Sequence, residues 1–448
     1  MHIIIVGAGK VGYNLAQMLS NSNHDVVVIE KNEERRSILS ESLDIQTVAG
    51  NGASFQSLEE AGIREADMLI AVTESDETNL ISCLIGKQFG VKQTVARVRN
   101  PEYADYRQGS MYTKMGIDLV INPELVTARE IAKLIEVPEA LSVDYYADGR
   151  IQLLELKIEK NSPVAGKKLQ DINIPGQFLI VSILRKDKMI VPGGEDTLNP
   201  GDLVFIFALA KESGVIEKFL GKRINHNKNI FLLGAGRISY YLADYLLRKK
   251  IASVKIIEKD KEAAKAISQK MPEALIINGD AADPDLLAEE NVEEADIFAG
   301  VTDDDKINLL VCLLAKNLGA KKTIAQIRRS DYAALMEHVG IDVAVSPRRL
   351  MAEAILRFIN KENIVSVRFL GHDKAEVLEI IVPSSFRQSQ PLKKLRLPHG
   401  ILIGAVKRKD KVFIPRGSDS ILPGDQVMVF ALPQNLPAVE QFFKVGGK

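Results

Sequence analysis

The 448-residue chain has no tryptophan, only 6% aromatic residues, and two cysteines, Cys83 and Cys312. Two thiols cannot staple a chain of this size, so its stability has to come from packed cores, and the cysteine usage points to a reducing compartment. Charge of one sign is also missing: 58 Lys and Arg face 59 Asp and Glu, a net charge of −1. No electrostatic excess is available to hold a polyphosphate backbone, which argues against nucleic acid as the main partner. The most apolar stretch, Leu203 to Ala210, falls well short of the ~18–20 residues needed to span a bilayer. The chain opens on a strand-like run without the pattern of a signal peptide. A cytoplasmic protein is expected, with any membrane role acting through a partner.

What the sequence has in abundance is itself. IIIVGAG at residues 3–9 returns as IFLLGAG at 230–236, and ADMLIAVTESDETNLISCL from Ala66 returns as ADIFAGVTDDDKINLLVCL from Ala295. Even the two cysteines coincide. DKMIVPGGEDTLNPGDLVFIFAL from Asp187 pairs with DKVFIPRGSDSILPGDQVMVFAL from Asp410. One half is a divergent copy of the other. Within each half, strand–helix alternation gives way to closely spaced strands with Gly-rich and Pro-Gly-Asp turns. The expected fold class is α/β: two Rossmann-like, doubly wound parallel-sheet domains, each followed by a small β-rich α+β module. The domains are expected at 1–137, 138–222, 227–360 and 361–448, with the polar stretch 221–229 as an exposed linker.

In the first half an Ile/Val strand runs into Gly7-Ala-Gly9-Lys10-Val11-Gly12 and then a helical period, the opening of a dinucleotide-binding fold. Gly7 suits the tight turn, Gly9 the approach of a pyrophosphate, and Gly12 close packing of helix on sheet. The second strand ends at Glu30, where a carboxylate can accept hydrogen bonds from a ribose diol and would repel a 2′-phosphate, so NADP is disfavoured while NAD, ATP and ADP remain open. The second half carries Gly234-Ala-Gly236-Arg237-Ile238-Ser239 and Glu258, with serine in place of the third glycine. Lys10 and Arg237 stand where they could assist phosphates. Arg97 and Arg99 end a strand whose second copy offers Gln326 and Arg328, so the two sites should differ if Arg97 is used.

Acid–base chemistry is hard to find. The six histidines are scattered, no metal-ligand spacing appears, and the acidic runs 74–77 and 303–305 precede helices whose N-termini favour acids. Both cysteines fall beside leucines in amphipathic helices and are expected to be buried packing groups. A soluble NAD-dependent oxidoreductase is the main alternative reading, and it would require a catalytic group that the sequence does not display.

The twin dinucleotide folds, the motif EADMLIAVTESDETN at 65–79 and the Gly-Asp-containing small modules together resemble the tandem RCK/KTN regulators of potassium transport, and among them the regulatory subunits of Trk-type uptake systems. The resemblance covers nearly the whole chain. It implies a non-enzymatic cytosolic subunit that binds NAD(H) and ATP or ADP and gates an integral membrane potassium-conducting subunit of the Trk type. It also implies a peripheral position on the inner membrane face and a homotetramer forming an eight-domain ring. Carried onto this sequence, Gly7, Gly9, Lys10, Val11, Gly12, Glu30, Asn51, Thr73 and Arg97 would line one nucleotide. Gly234, Gly236, Arg237, Ile238, Glu258, Asp280 and Thr302 would line the other. Helices after Pro123 and Pro347 would cross to a neighbouring domain and build the ring.

Overall fold

The computed structural model describes all residues except 22–23, 101–102, 104–108, 174–175, 222–227, 329–331, 360–363, 372–373, 387–389, 396 and 445–448. In the first half, β1 (His2–Val6), β2 (Asp25–Glu30), β3 (Gln46–Ala49), β4 (Met68–Ala71), β5 (Gln93–Arg97) and β6 (Leu119–Ile121) form a parallel sheet of order β3-β2-β1-β4-β5-β6. Residues Ile3 to Val6 are fully or almost fully buried, as expected of a central parallel strand covered on both faces. The order reverses between β1 and β4, and this is the switch point at which an open α/β sheet leaves a crevice beyond the carboxyl ends of its strands. The second half repeats the pattern with β12 (Lys228–Leu233), β13 (Ala252–Glu258), β14 (Leu275–Asn278), β15 (Ile297–Gly300), β16 (Thr323–Gln326) and β17 (Val343–Val345) in the order β14-β13-β12-β15-β16-β17.

Each small module is a five-stranded antiparallel sheet. The first has the order β10-β9-β11-β8-β7, from β7 (Ala140–Tyr146), β8 (Ile151–Lys157), β9 (Phe178–Arg185), β10 (Lys188–Ile190) and β11 (Leu203–Leu209). The second matches it strand for strand, with β18 (Ile364–Leu370), β19 (Ala375–Ile381), β20 (Ile401–Arg408), β21 (Lys411–Phe413) and β22 (Gln426–Ala431). The unbroken apolar run of β11 follows from its two buried faces. Val204, Ile206 and Ala208 join the core beneath the module, whereas Phe205, Phe207 and Leu209 pack on the other module against Val377, Met428 and Phe430. Gly404 makes room for this contact, since a Cβ there would lie 2.1 Å from the Phe207 ring. The basic runs 185–188 and 407–411 are hairpin tips. Arg185 and Arg408 hold Asp202 and Asp425 through paired hydrogen bonds of 2.6–2.8 Å.

The two halves exchange helices. The helix after Pro123, α6 (Pro123–Glu136), buries Ala128, Ile131 and Ile135 with Ile230, Leu242 and Leu246 of the second Rossmann unit. The helix after Pro347, α13 (Pro347–Ile359), buries Met351, Ile355 and Phe358 with Ile3, Leu15 and Leu19 of the first. The crossing is thus to the sister unit of the same chain. The stretch 221–229 is shorter as a linker than the sequence implies: Lys228 and Asn229 already belong to β12, Lys228 is buried, and residues 222–227 lie outside the described residues. Among the described residues, no helix is long and apolar enough to cross a membrane.

Candidate functional site

Because each unit receives the other's helix, the two switch-point crevices face each other and merge into one cleft of about 1590 Å³. Both glycine turns line it. In the first, Gly7 has φ +103°, a value that L side chains avoid, and a Cβ there would press on Thr73. A Cβ on Gly12 would come within 1.8 Å of the Gly7 carbonyl oxygen, so helix α1 (Lys10–Asn21) can start this close to β1 only with glycine. Gly9 and Gly236 have open space on the cleft side, where a Cβ would meet nothing within 4 Å. That is the room a pyrophosphate needs. In the second turn Ser239 replaces the third glycine by making the carbonyl its partner: its Oγ donates to the Gly234 oxygen at 2.5 Å. Helix α8 (Arg237–Arg248) then starts at the cleft with Gly236 as N-cap and no side-chain cap, leaving first-turn N–H groups for an anion.

Glu30 and Glu258 are held identically. Glu30 Oε2 accepts from the Ala8 N–H at 2.7 Å and Oε1 from the Asn32 N–H at 2.9 Å. Glu258 accepts from Ala235 at 2.7 Å and Asp260 at 2.8 Å. Each carboxylate is therefore fixed at the rim of its glycine turn with lone pairs remaining for a diol. Thr73 and Thr302 are pinned by two residues outside the predicted site set, Asn79 and Asn308. Each asparagine accepts from the threonine N–H and Oγ1 and donates to the threonine carbonyl and to the end of the next strand, at 2.7–3.1 Å. The Thr-x-x-x-x-x-Asn spacing, repeated in both halves, is the signal that could have found them.

The cleft is positive in a chain that is not. Eight Lys or Arg residues line it against five Asp or Glu, which favours an anionic occupant. Arg97 is held half-buried, and its Nε finds no hydrogen-bond partner among the described residues. Burial, followed by repulsion from Arg99, lowers its pKa. For Arg99, burial works against the charge, but the hydrogen bond to Glu124 (Nε–Oε1 2.6 Å) and the attraction of Glu124 and Asp303 outweigh it and raise the pKa. Asp303 belongs to the other half, where it pairs with Arg328 at 2.5 Å. Arg348, at the start of α13, also lines the cleft. No sequence motif marks it, because it reaches the site only through the helix exchange.

Among the residues singled out from the sequence, Gly7, Gly9, Lys10, Val11, Glu30, Asn51, Thr73, Arg97, Gly234, Gly236, Arg237, Ile238, Glu258 and Thr302 line the cleft. Gly12 stands behind the turn. Asp280 is not brought to the cleft. It is tied to Lys259 at 2.7 Å and to the Ala282 N–H at 3.0 Å. The acidic runs serve as helix starts: Ser75 and Asp304 cap helices α4 (Asp76–Gln88) and α11 (Asp305–Asn317). Asp76 and Asp305 receive the backbone N–H of Arg99 and Arg328. Both cysteines are buried, and burial raises their thiol pKa values.

The TrkA-N domain family matches residues 3–123 and 230–347, and the TrkA-C domain family matches 153–221 and 378–444. The chain belongs to the TrkA family. It is 36% identical over 452 residues to a Trk system potassium uptake protein TrkA homolog 1 of Methanosarcina mazei, covering 99% of this chain and 100% of the relative. It is 34% identical to the Trk system potassium uptake protein TrkA of Haemophilus influenzae, with 99% of each covered. The fold is similar to that of the GsuK channel bound to NAD, with a TM-score of 0.63 at 19% identity over 99% of this chain and 79% of that one. For GsuK bound to ADP the TM-score is 0.51 at 17% identity, over 80% and 69%.

Proposed function

We propose that the chain is a non-enzymatic, nucleotide-sensing subunit that gates a Trk-type potassium-conducting membrane protein from its cytoplasmic face, responding to NAD(H) and to ATP or ADP. The carrying observation is the single net-positive cleft between two helix-exchanged Rossmann units, onto which both glycine turns open. Gly7, Gly9 and Lys10 would meet the phosphates and Glu30 a ribose, with Asn51 and Thr73 along the same ligand. The names of the relatives support the potassium-transport role, and the NAD and ADP complexes of GsuK support the ligand class. A homotetramer, arranged as an eight-domain ring peripheral to the membrane, is the assembly we propose.

In this reading the nucleotide acts by its difference in affinity between two arrangements of the units. The cleft is suited to that, since its walls come from both units and a ligand across it changes how they sit. No histidine lines the cleft among the described residues, which leaves a hydride transfer without an evident acid–base partner.

Thermal unfolding of the purified chain with NAD, NADH, NADP, ATP and ADP tests the reading. A ligand at about 100 times its Kd adds roughly 2.7 kcal/mol of stability. Stabilisation by NADH and adenine nucleotides without loss of NADH absorbance supports a sensor. No stabilisation by any of them refutes it, and NADH consumption would put the oxidoreductase reading first.

A further inference from the structure

We infer that each chain takes one nucleotide, its adenosine held by the first crevice, and that the second glycine turn has no adenosine of its own. The inference deepens the proposed nucleotide-sensing function and rests on it.

The two crevices share their glycine turns and ribose-facing glutamates but differ where a base would lie. In the first, helix α2 (Glu33–Ser42) lines the cleft through Arg35 and Ile38, and the loop after β3 lines it through Asn51. Ile38 is 50% exposed, an apolar side chain left open beside a polar cleft, and Arg35 stands one turn away on the same helix. An aliphatic face and a planar guanidinium are what a purine packs against. Asn51 can donate as well as accept, which the edge of adenine requires.

The second half keeps the frame and loses each of these groups. Helix α9 (Lys261–Lys270) has the same length as α2, and its N-cap Asp260 caps it as Asn32 caps α2. Counting from the caps, Arg35 becomes Ala263 and Ile38 becomes Ala266. Asn51 becomes Asp280, a carboxylate that cannot donate. Asp280 is joined to Lys259 at 2.7 Å, an ion pair that bridges the ends of β13 and β14. The first half has Lys31 in the place of Lys259 but no acid opposite it. Neither Ala263, Ala266, Lys259 nor Asp280 lines the cleft, whereas all four first-half counterparts do.

Equilibrium dialysis of radiolabelled ADP against the full chain, repeated with NAD, tests the inference. We expect one site per chain. The variant Arg35→Ala/Ile38→Ala/Asn51→Asp copies the second crevice onto the first at exposed positions, and should weaken binding at least tenfold with an unchanged melting temperature in the absence of ligand. Lys259→Ala opens the ion pair and should leave the stoichiometry at one, because the groups that would pack on a base are still missing. Two ADP per wild-type chain, a second site in Lys259→Ala, or unchanged affinity in the triple variant would overturn the inference while leaving the sensor reading intact. Absence of binding by either nucleotide would remove both.

Discussion

The two exchanged helices occupy equivalent places and are secured by different physics. Where α6 lies on the second Rossmann unit, polar groups lock it. The ammonium of buried Lys228 donates to the Ile135 and Glu136 carbonyls at 2.5 and 3.0 Å, and that of Lys322 to Pro138 and Ala140 at 2.8 and 2.5 Å. Lys228 is a cation at the C-terminus of α6, where orphan carbonyls and the dipole both favour it, and Lys322 ties down the turn that follows. Tyr245 adds a hydrogen bond to Glu136 at 2.7 Å. Where α13 lies on the first unit, Met351, Ile355 and Phe358 pack into its apolar core. The lock positions of the first unit hold Met1 and Gln93 instead of the two lysines. The difference teaches that a duplicated architecture can keep the same helix exchange while securing its two ends by different forces. The unit without the two lysines is the one with the fuller nucleotide crevice.

A second asymmetry sits where the halves meet. Asp144 on β7 and Arg368 on β18 occupy equivalent positions in the two copies and pair with each other at 2.9 Å. Arg368 also pairs with Glu353 of α13 and with Glu130 of α6 at 3.5 Å. The halves are complementary here because they are not identical. Replacing Arg368 by methionine leaves buried Asp144 without its cation, while Glu130 keeps Lys133 and Glu353 keeps Arg349, and should cost roughly 3–5 kcal/mol in chemical denaturation. A loss below about 1 kcal/mol would mean that the junction tolerates Asp144 unpaired.

The lock itself is tested by Lys322→Met, which strands the buried Ala140 carbonyl and the part-buried Pro138 carbonyl and should cost roughly 1–3 kcal/mol, with hydrogen exchange rising first at the C-terminal end of α6. An unchanged exchange pattern would show that the apolar contacts suffice on both sides. The glycine turns give a paired comparison. Gly12→Ala forces a methyl onto the Gly7 carbonyl and should cost roughly 1–3 kcal/mol. Ser239→Ala only removes a hydrogen bond and should cost about 1 kcal/mol. Equal losses would mean that the two turns are built alike.

The last comparison is a slope with pH. Burial, helped by Glu337 and Asp144 and opposed by Arg368, raises Glu155 from 4.5 to about 7. Its equivalent, Glu379, has the Gln426 amide as a donor at 2.7 Å. The folded chain keeps the Glu155 proton over a range in which the unfolded chain has lost it, so stability falls as pH rises from about 4.5 towards 7. Glu155→Gln should flatten that part of a melting-temperature profile, and an unaltered slope would assign it elsewhere.

The duplication and the glycine turns were legible because each is a local pattern: a repeat, a period, a spacing. Glu30 and Glu258 could be found because the second strand of this fold ends at a fixed distance from the turn. Arg348 and the Arg368 cluster could not, since an amphipathic helix announces that it buries a face without saying against what. The apolar run of β11 stood out in the sequence, yet only the structure shows that both of its faces are buried and that one of them meets the chain's own second module. Arg35 and Ile38 escape a reading of the sequence because an exposed arginine and isoleucine on a polar helix carry no motif. Their meaning comes from the alanines at the same places in the other copy.

The exchange of α6 and α13 also sets an order of events at the ribosome. The sheet of the first unit is synthesised early, but α13, which completes its core, follows roughly two hundred residues later. At about 5–20 residues per second this is a wait of roughly 10–40 s. Through that interval Ile3, Leu15 and Leu19 lack their covering helix, so the nascent chain presents an apolar surface that a chaperone can hold and a neighbouring nascent chain can capture.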